Sequence, residues 1–470
     1  MIPIRTLTCL GPLLAVAACA VGPDYRRPDV PAPAAFKEAW QPAAPGDQLP
    51  RGPWWHAYGD PVLDQLEGAA ERSNQTIAAA DAQYRSALAA VGGARAALFP
   101  TVAIAAGTTR SASGSGSLSV GNGLVTPGGA TYTTDRVTAS LSWELDLWGR
   151  LRRGLEVSRT AAQASAGDLA AAQLSVAATL AQDYVQLRAL DTERELFART
   201  IVAYRRTLEI TRNRYAAGVA PRTDVTEAET QLGNAEAQDA DLAVQRAALE
   251  HAIATLTGQS PTEFTLAAVT SLPALPPVPV VLPATLLERR PDVAAAERRV
   301  ASANAAVGVA VGAWFPALSL SGTGGYQASA WQNLISLPNR FWSLGPTLAA
   351  TLFDAGARSA QSAGARADYD RAVATYRQTV LTALAEAEDS LAALRGLADE
   401  EAADNRAAVA ARETLRLTEN QYRAGTVSYL NVVIVQSAAF SADRALIDVQ
   451  SRRLLAHIGL LKAMGGTPNP

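Results

Sequence analysis

Between Val137 and Val219 the chain changes period once and then runs on without a break. The odd positions from Val137 to Leu147 are Val137, Ala139, Leu141, Trp143, Leu145 and Leu147; the even ones are Thr138, Ser140, Ser142, Glu144 and Asp146. Strict alternation over about eleven residues is the pattern and length of a tilted strand that crosses a bilayer. Beyond Gly149 the period is helical. Phe197, Ile201, Tyr204, Leu208, Thr211 and Tyr215 step by four and three in turn, which is coiled-coil spacing. No proline lies between Arg150 and Val219, so the pattern predicts a single helix of about 67 residues, or ~100 Å. That is too long for the core of a globular domain.

Composition narrows the function. Net charge is −3 and charged residues make up 18% of the chain, which excludes a nucleic-acid-binding surface. Alanine dominates the hydrophobic fraction, as suits close-packed helices. His56, His251 and His457 have no ligand spacing, so no metal site is expected. Lys37 and Lys462, the only lysines, sit in no glycine-rich phosphate loop, and neither a Cys-x-x-Cys nor a Gly-x-Ser-x-Gly motif is present. The chain does not read as an enzyme, and no cofactor is expected.

In chain order, residues 1–18 read as a signal peptide: Arg5, an apolar run from Leu7 to Ala17, then Val16-Ala17-Ala18-Cys19. The apolar run is too short to span a membrane, and a cysteine at that point marks a bacterial lipoprotein signal, so Cys19 is the expected site of a covalent N-terminal lipid. Residues 19–59 form a proline-rich, extended, lipid-anchored segment. A first repeat occupies residues 60–258. It opens at Asp60-Pro61 with a helix running to Phe99-Pro100. A strand from Thr101 to Thr109, a Gly/Ser/Thr-rich loop from Ser111 to Thr134, and the strand and rod described above follow. Tyr215-Ala216-Ala217-Gly218 ends the rod, with Gly218 as C-terminal cap. Asp224 with Glu227 forms a capping box for the return helix, with Thr223 as a rival cap. Residues 259–285 are a proline-rich equatorial linker.

Residues 286–464 repeat that order. Arg289-Arg290-Pro291-Asp292 opens a helix ending at Phe315-Pro316, as the first ended at Phe99-Pro100. Two alternating strands follow, around Leu318–Tyr326 and Trp342–Leu352. Asp354-Ala355-Gly356 stands where Asp146 and Gly149 stood. A second rod ends in Tyr422-Arg423-Ala424-Gly425, and the last helix runs from Tyr429 to about Met464, before a tail of residues 465–470. Same-order recurrence at this length indicates tandem duplication. Four strands cannot enclose a pore, since about eight are needed merely to close a barrel. Chains must therefore associate, and three copies give twelve strands.

These stretches resemble the outer-membrane factor family, the TolC-like exit ducts of tripartite efflux pumps, in its lipoprotein branch. Cys19-Ala-Val-Gly-Pro-Asp-Tyr25 is similar to that branch's N-terminal signature. Leu287-Glu-Arg-Arg-Pro-Asp-Val293 with Trp314-Phe315-Pro316 is similar to its internal one, and Tyr422-Arg-Ala-Gly-Thr-Val-Ser-Tyr-Leu-Asn-Val432 to its periplasmic tip. The resemblance implies a mixed α and β membrane protein: a trimeric twelve-stranded outer-membrane β-barrel continuing into a periplasmic α-helical barrel. It implies as partners a periplasmic adaptor and a proton-driven inner-membrane transporter. It makes Ala217, Gly218 and Val219, with Ala424, Gly425 and Thr426, the adaptor-docking tips. It puts Leu430 at an apolar constriction together with Asn431, Ile434, Asp224, Glu227 and Tyr422. Ile434 stands where relatives place an acidic ring; Glu227, its first-repeat counterpart, and Asp224 are acidic. The bland roles are capping for Asp224 and Glu227, and packing for Tyr422. Two rival functions remain in the sequence: the exit duct of a type I protein secretion system, and a structural lipoprotein bridging envelope layers.

Overall fold

The structure, a computed structural model of the 470-residue chain, describes residues 20–28, 53–112, 118–120, 123–125, 131–277 and 290–466. The signal segment, Cys19, most of the extended arm, residues 287–289 of the internal signature and the tail past 466 lie outside the described residues. The helices are α1 (Pro61–Ser73), α2 (Gln75–Ala96), α3 (Arg150–Ala216), α4 (Arg222–Leu256), α5 (Pro291–Gly312), α6 (Ala357–Arg423) and α7 (Tyr429–Ala463). The strands are β1 (Thr101–Ala112), β2 (Leu118–Val120), β3 (Gly123–Val125), β4 (Thr131–Leu145), β5 (Ala317–Ala328) and β6 (Arg340–Ala349). No described helix is long and apolar enough to cross a membrane. The chain divides into two compact units. One comprises residues 1–28, 85–163 and 297–374, and the other residues 29–84, 164–296 and 375–470.

The first unit holds an antiparallel sheet in the order β1-β4-β5-β6. β1 and β4 are longer than the alternation predicts, because Thr131–Arg136 continues the ladder against Gly107–Ala112. Threonine and tyrosine suit a pleated strand as well as valine does, so polarity hid this part of β4, and β2 pairs with β3 inside the expected loop. β4 ends at Leu145 rather than Leu147. Asp146 leaves the ladder to accept hydrogen bonds from the Leu151 and Arg152 amides at 3.0 and 2.8 Å, capping α3. Asp354 does the same at the head of α6, accepting from the Gly356 and Arg358 amides at 3.1 and 3.2 Å. The recurrent Asp-to-Gly motif is thus a strand-to-helix corner.

Residues 20–28 lie along this unit. The Val21 amide donates to the Trp148 carbonyl at 3.0 Å. Gly22 has φ +117°, and a Cβ there would stand 2.6 Å from the Gly308 Cα, so glycine is required on both counts. Asn304 Nδ2 donates to the Pro23 carbonyl at 3.1 Å, Arg153 pairs with Asp24 at 2.8 Å, and the Tyr25 hydroxyl donates to Glu297 at 2.6 Å. Each residue of the Val-Gly-Pro-Asp-Tyr signature therefore has a docking contact.

The second unit is helical. Trp54, Leu63, Leu66, Leu180, Tyr184, Ile253 and Ile458 share one buried cluster, with Phe264, Leu266, Leu272 and Leu275 of the linker packed on it. Ion-paired arginines strap the linker down through its backbone carbonyls. Arg246 binds Asp191 at 2.6 Å and the Leu266 carbonyl at 2.8 Å, while Arg188 binds Asp60 at 2.6 Å and the Ser271 carbonyl at 2.5 Å. Burial alone would raise the Asp60 pKa, but the hydrogen bonds from Tyr184 and the α1 amides, with the Arg188 charge, hold it below the usual range. The helix expected from Asp60 to Phe99 is broken. Asn74 interrupts it, its Oδ1 accepting from the Thr76 and Ile77 amides at 2.8 and 3.1 Å and its Nδ2 donating to the Leu256 carbonyl at 2.8 Å. A second cap, tied to a distant helix end, outweighs helical continuity. The Tyr58 hydroxyl and His457 Nδ1 are buried 2.7 Å apart, and desolvation lowers the His457 pKa to about 4. Glu67 is fully buried, and neither carboxylate oxygen has a hydrogen-bond partner among the described residues; burial, then the charges of Glu71 and Asp64, push its pKa up to about 9.

α3 and α6 each have 67 residues, and α4 and α7 each have 35. The later pair is displaced by 207 residues, starting at 357 against 150 and at 429 against 222.

Candidate functional site

The turns that end α3 and α6 are built alike. Gly218 (φ +73°) and Gly425 (φ +77°) follow the last helical turn. The Gly218 amide donates to the Tyr215 carbonyl at 2.9 Å and the Val219 amide to that of Arg214 at 2.8 Å. The Gly425 amide donates to the Tyr422 carbonyl and the Thr426 amide to that of Gln421, both at 3.0 Å. This is Schellman-type closure, which left-handed glycine makes possible. Among the described residues no atom would meet a Cβ at either glycine, so backbone conformation and not crowding fixes the residue type. Ala217 and Val219, with Ala424, are exposed at these ends, and Thr426 is exposed beside them.

The return helices start with no side-chain cap, which corrects the expectation for Asp224 and Thr223. α4 begins at Arg222 with Pro221 at its N-cap, and α7 begins after Ser428. Pro221 and Ser428 share the same extended backbone (φ −75°, ψ 160°), so the turn itself sets the helix start. Asp224 lies in the first turn of α4, where a carboxylate offsets the unpaired amides electrostatically. Glu227 accepts a hydrogen bond from Gln231 at 3.2 Å.

Behind the turns, Leu208, Ala228, Tyr422, Tyr429, Val432 and Val433 form a buried cluster. The Tyr422 and Tyr429 rings lie 5.8 Å apart. Arg214 sits over the Tyr422 ring at 4.6 Å and donates to the Tyr422 carbonyl at 3.3 Å, bonding the end of α3 to the end of α6. The Tyr422 hydroxyl is buried without a hydrogen-bond partner among the described residues. Desolvation raises the Tyr429 pKa, helped by Tyr422, Tyr204 and the Glu227 and Asp224 carboxylates. The structure thus gathers Tyr422, Asp224 and Glu227 around Tyr429. Leu430 and Ile434 are 59% and 57% exposed and, with exposed Asn431, line the opposite face of α7. Sequence reading missed Arg214 and Tyr429. A basic residue in the last turn of a rod, just ahead of its closing glycine, was the available signal.

The sheet has two unlike faces. Across it, Thr101–Ser142–Ser321–Gly345 and Ala103–Ser140–Thr323–Ser343 are rows on one face. Val102–Leu141–Gly322–Leu344 and Ile104–Ala139–Gly324–Trp342 are rows on the other. The first is small and hydroxyl-bearing. The second is an apolar band in which Val102, Ile104, Trp342 and Leu344 are exposed. β1 and β6 are its edges, unpaired among the described residues.

A sequence model of the family described as "Outer membrane efflux protein" matches residues 66–259 and 282–466. The chain is 29% identical to the probable efflux pump outer membrane protein TtgC of Pseudomonas putida, covering 96% of this chain and 93% of that one. It is 30% identical to outer membrane protein OprJ of Pseudomonas aeruginosa, covering 96% and 94%. Among solved structures, the outer-membrane channel OprN superposes with a TM-score of 0.85 at 31% identity, over 95% of this chain and 99% of that one. The open-state MtrE outer membrane channel of Neisseria gonorrhoeae superposes with a TM-score of 0.79 at 28% identity, over 96% and 99%.

Proposed function

The chain belongs to the outer membrane efflux protein family, and from that premise we propose how its parts make a duct. It is the outer-membrane channel component of an efflux pump, in a family of channels rather than of enzymes, and it works with partner proteins of that pump. The finer assembly follows from the sheet. An open sheet with an apolar band on one face cannot rest in lipid with its edge amides and carbonyls unpaired. Pairing β6 of one copy with β1 of the next removes every edge, and three copies close twelve strands. The hydroxyl face then lines an aqueous lumen and the apolar face meets lipid. The free edges of this two-faced sheet are the observation that carries the reading. A coiled-coil lipoprotein that bridges envelope layers would have no use for it.

The remaining roles belong to the same proposal. Cys19 bears the N-terminal lipid and anchors the mature chain to the outer membrane. Tandem duplication accounts for the 207-residue displacement between helix pairs. The turns at Ala217, Gly218 and Val219, and at Ala424, Gly425 and Thr426, dock a periplasmic adaptor that recruits a proton-driven inner-membrane transporter. Leu430, Asn431 and Ile434 of α7, with Asp224 and Glu227 of α4, narrow the periplasmic end, and Tyr422 holds that end together from behind. Conduction is passive: adaptor binding splays the turns, and solutes expelled by the pump leave through the lumen.

Size-exclusion chromatography with light scattering on detergent-purified protein, paired with planar-bilayer recording, tests this assembly. A trimer that conducts is the expected result. A non-conducting monomer would overturn it. Deleting the gene should lower resistance across a panel of toxic small molecules.

A further inference from the structure

Charge is scarce at the loop end of the sheet. Residues 101–143 and 317–353 carry only Arg110, Asp135, Arg136 and Arg340. Residues 113–130 and 329–339, which join the strands there, contain no Asp, Glu, Lys or Arg at all. Strand register sorts the four. Arg110 pairs opposite Thr133, Asp135 opposite Thr108, and Arg340 opposite Tyr326, all on the face of the apolar band. Arg136 pairs opposite Gly107 and Gln327, on the hydroxyl face.

The guanidinium of Arg136 is held by neutral groups. Its Nε and Nη2 donate to Gln327 Oε1 at 3.1 and 2.6 Å, and its Cζ lies 5.1 Å from the Phe341 ring centroid. Between them stands Gly325, where a Cβ would come within 2.0 Å of the Val137 carbonyl oxygen. Only glycine fits so close to the β4 backbone at that point, and Arg136 reaches over it to the Phe341 ring of β6. Asp135, next in sequence, points to the other face and accepts from Thr108 Oγ1 at 2.7 Å. The other charge on the hydroxyl face is Glu144, near the helical end, and Arg150 neutralises it at 2.7 Å. Arg136 is thus a preorganised cation with no carboxylate partner among the described residues, in a wall of hydroxyls and glycines.

We propose that Arg136, repeated in three copies, forms a cationic collar near the outer end of the lumen and sets charge preference at the exit. Carboxylate- or sulfonate-bearing solutes are stabilised as they pass it, and polycations are repelled from outside. Low-dielectric walls focus such a field, and physiological salt screens it only beyond about 8 Å. The inference rests on the trimeric-channel reading above.

Planar-bilayer recording tests it, with reversal potential measured in a KCl gradient and with citrate added to one side at a time. Wild type should be blocked by citrate from the loop side. Arg136→Gln should shift the reversal potential toward cation preference and weaken the block about fivefold. Arg136→Lys should keep both properties, and Arg110→Gln, on the lipid face, should behave as wild type. In 1 M salt, where screening acts within about 3 Å, the differences should vanish. Arg136→Gln channels with wild-type selectivity and block would overturn the collar and leave the channel standing. A wild-type protein that forms no channel would overturn the reading beneath both.

Discussion

The turn after α3 and the turn after α6 share a backbone and differ in chemistry. Both close through a left-handed glycine and the same pair of hydrogen bonds, and both return helices start in the same extended conformation. Yet Thr223, Asp224 and Glu227 occupy the places that Leu430, Asn431 and Ile434 occupy in the other half. One turn is polar and acidic; the other presents two exposed branched alkyl chains. Glycine dihedrals and carbonyl partners fix the shape, so the side chains beyond it are free to diverge. In the proposed trimer this puts the acidic groups and the greasy constriction on alternate turns around the periplasmic end. A single residue cannot carry both properties.

The comparison can be broken at its backbone first. Proline locks φ near −65° and cannot take the +73° and +77° of Gly218 and Gly425. Gly425→Pro should drop resistance to that of the deletion strain while the trimer still assembles on gels, and Gly218→Pro should do the same. Full resistance in both variants would remove the turns from function. Next in size is the apolar side. Leu430→Gly should raise single-channel conductance about two- to threefold by opening a dewetted constriction, whereas Thr223→Gly should change it little. Equal effects would show that the two turns do not divide the work.

The acidic side should give a smaller effect. Glu227→Gln together with Asp224→Asn should weaken block by divalent cations added to the periplasmic side by about fivefold. Ile434→Asp should strengthen that block. A control away from the turns comes from Glu67. Its folded pKa, about 9, lies above the ordinary carboxylate value, so the folded state favours the neutral acid. Its contribution is most favourable below the unfolded pKa and is lost as pH rises through about 9. Glu67→Gln should therefore melt several degrees higher than wild type at pH 8 and about equally at pH 4, with conductance unchanged. Identical melting at both pH values would count against a buried neutral Glu67.

What could be read from the sequence follows how local each cause is. The corners at Asp146 and Asp354 were legible only as a recurring Asp-to-Gly motif, since alternation alone carried Asp146 into the strand that its carboxylate leaves to cap α3. The long helices were legible because nothing interrupts them, and the glycine turns because few other residues adopt a positive φ. The break at Asn74 was not, since its amide is committed to the Leu256 carbonyl far along the chain. The capping box at Asp224 misled for the opposite reason: the motif is present, but the turn geometry had already fixed the start of α4. Arg214 went unread because its partner, Tyr422, becomes a neighbour only when the ends of the two rods meet. Faces of strands could be assigned from alternation alone. The solitude of Arg136 needed the register.

The clasp of residues 20–25 on the sheet unit has a mechanical consequence. Val21 is fastened to the Trp148 carbonyl and Gly22 is seated against Gly308, and along the sequence only two peptide links, at most about 7.6 Å of chain, separate Val21 from the cysteine at position 19. Should that cysteine carry the acyl chains proposed above, they have almost no slack. In that proposal they would enter the leaflet beside the corner where β4 gives way to α3, a depth gauge registering the barrel vertically against the bilayer.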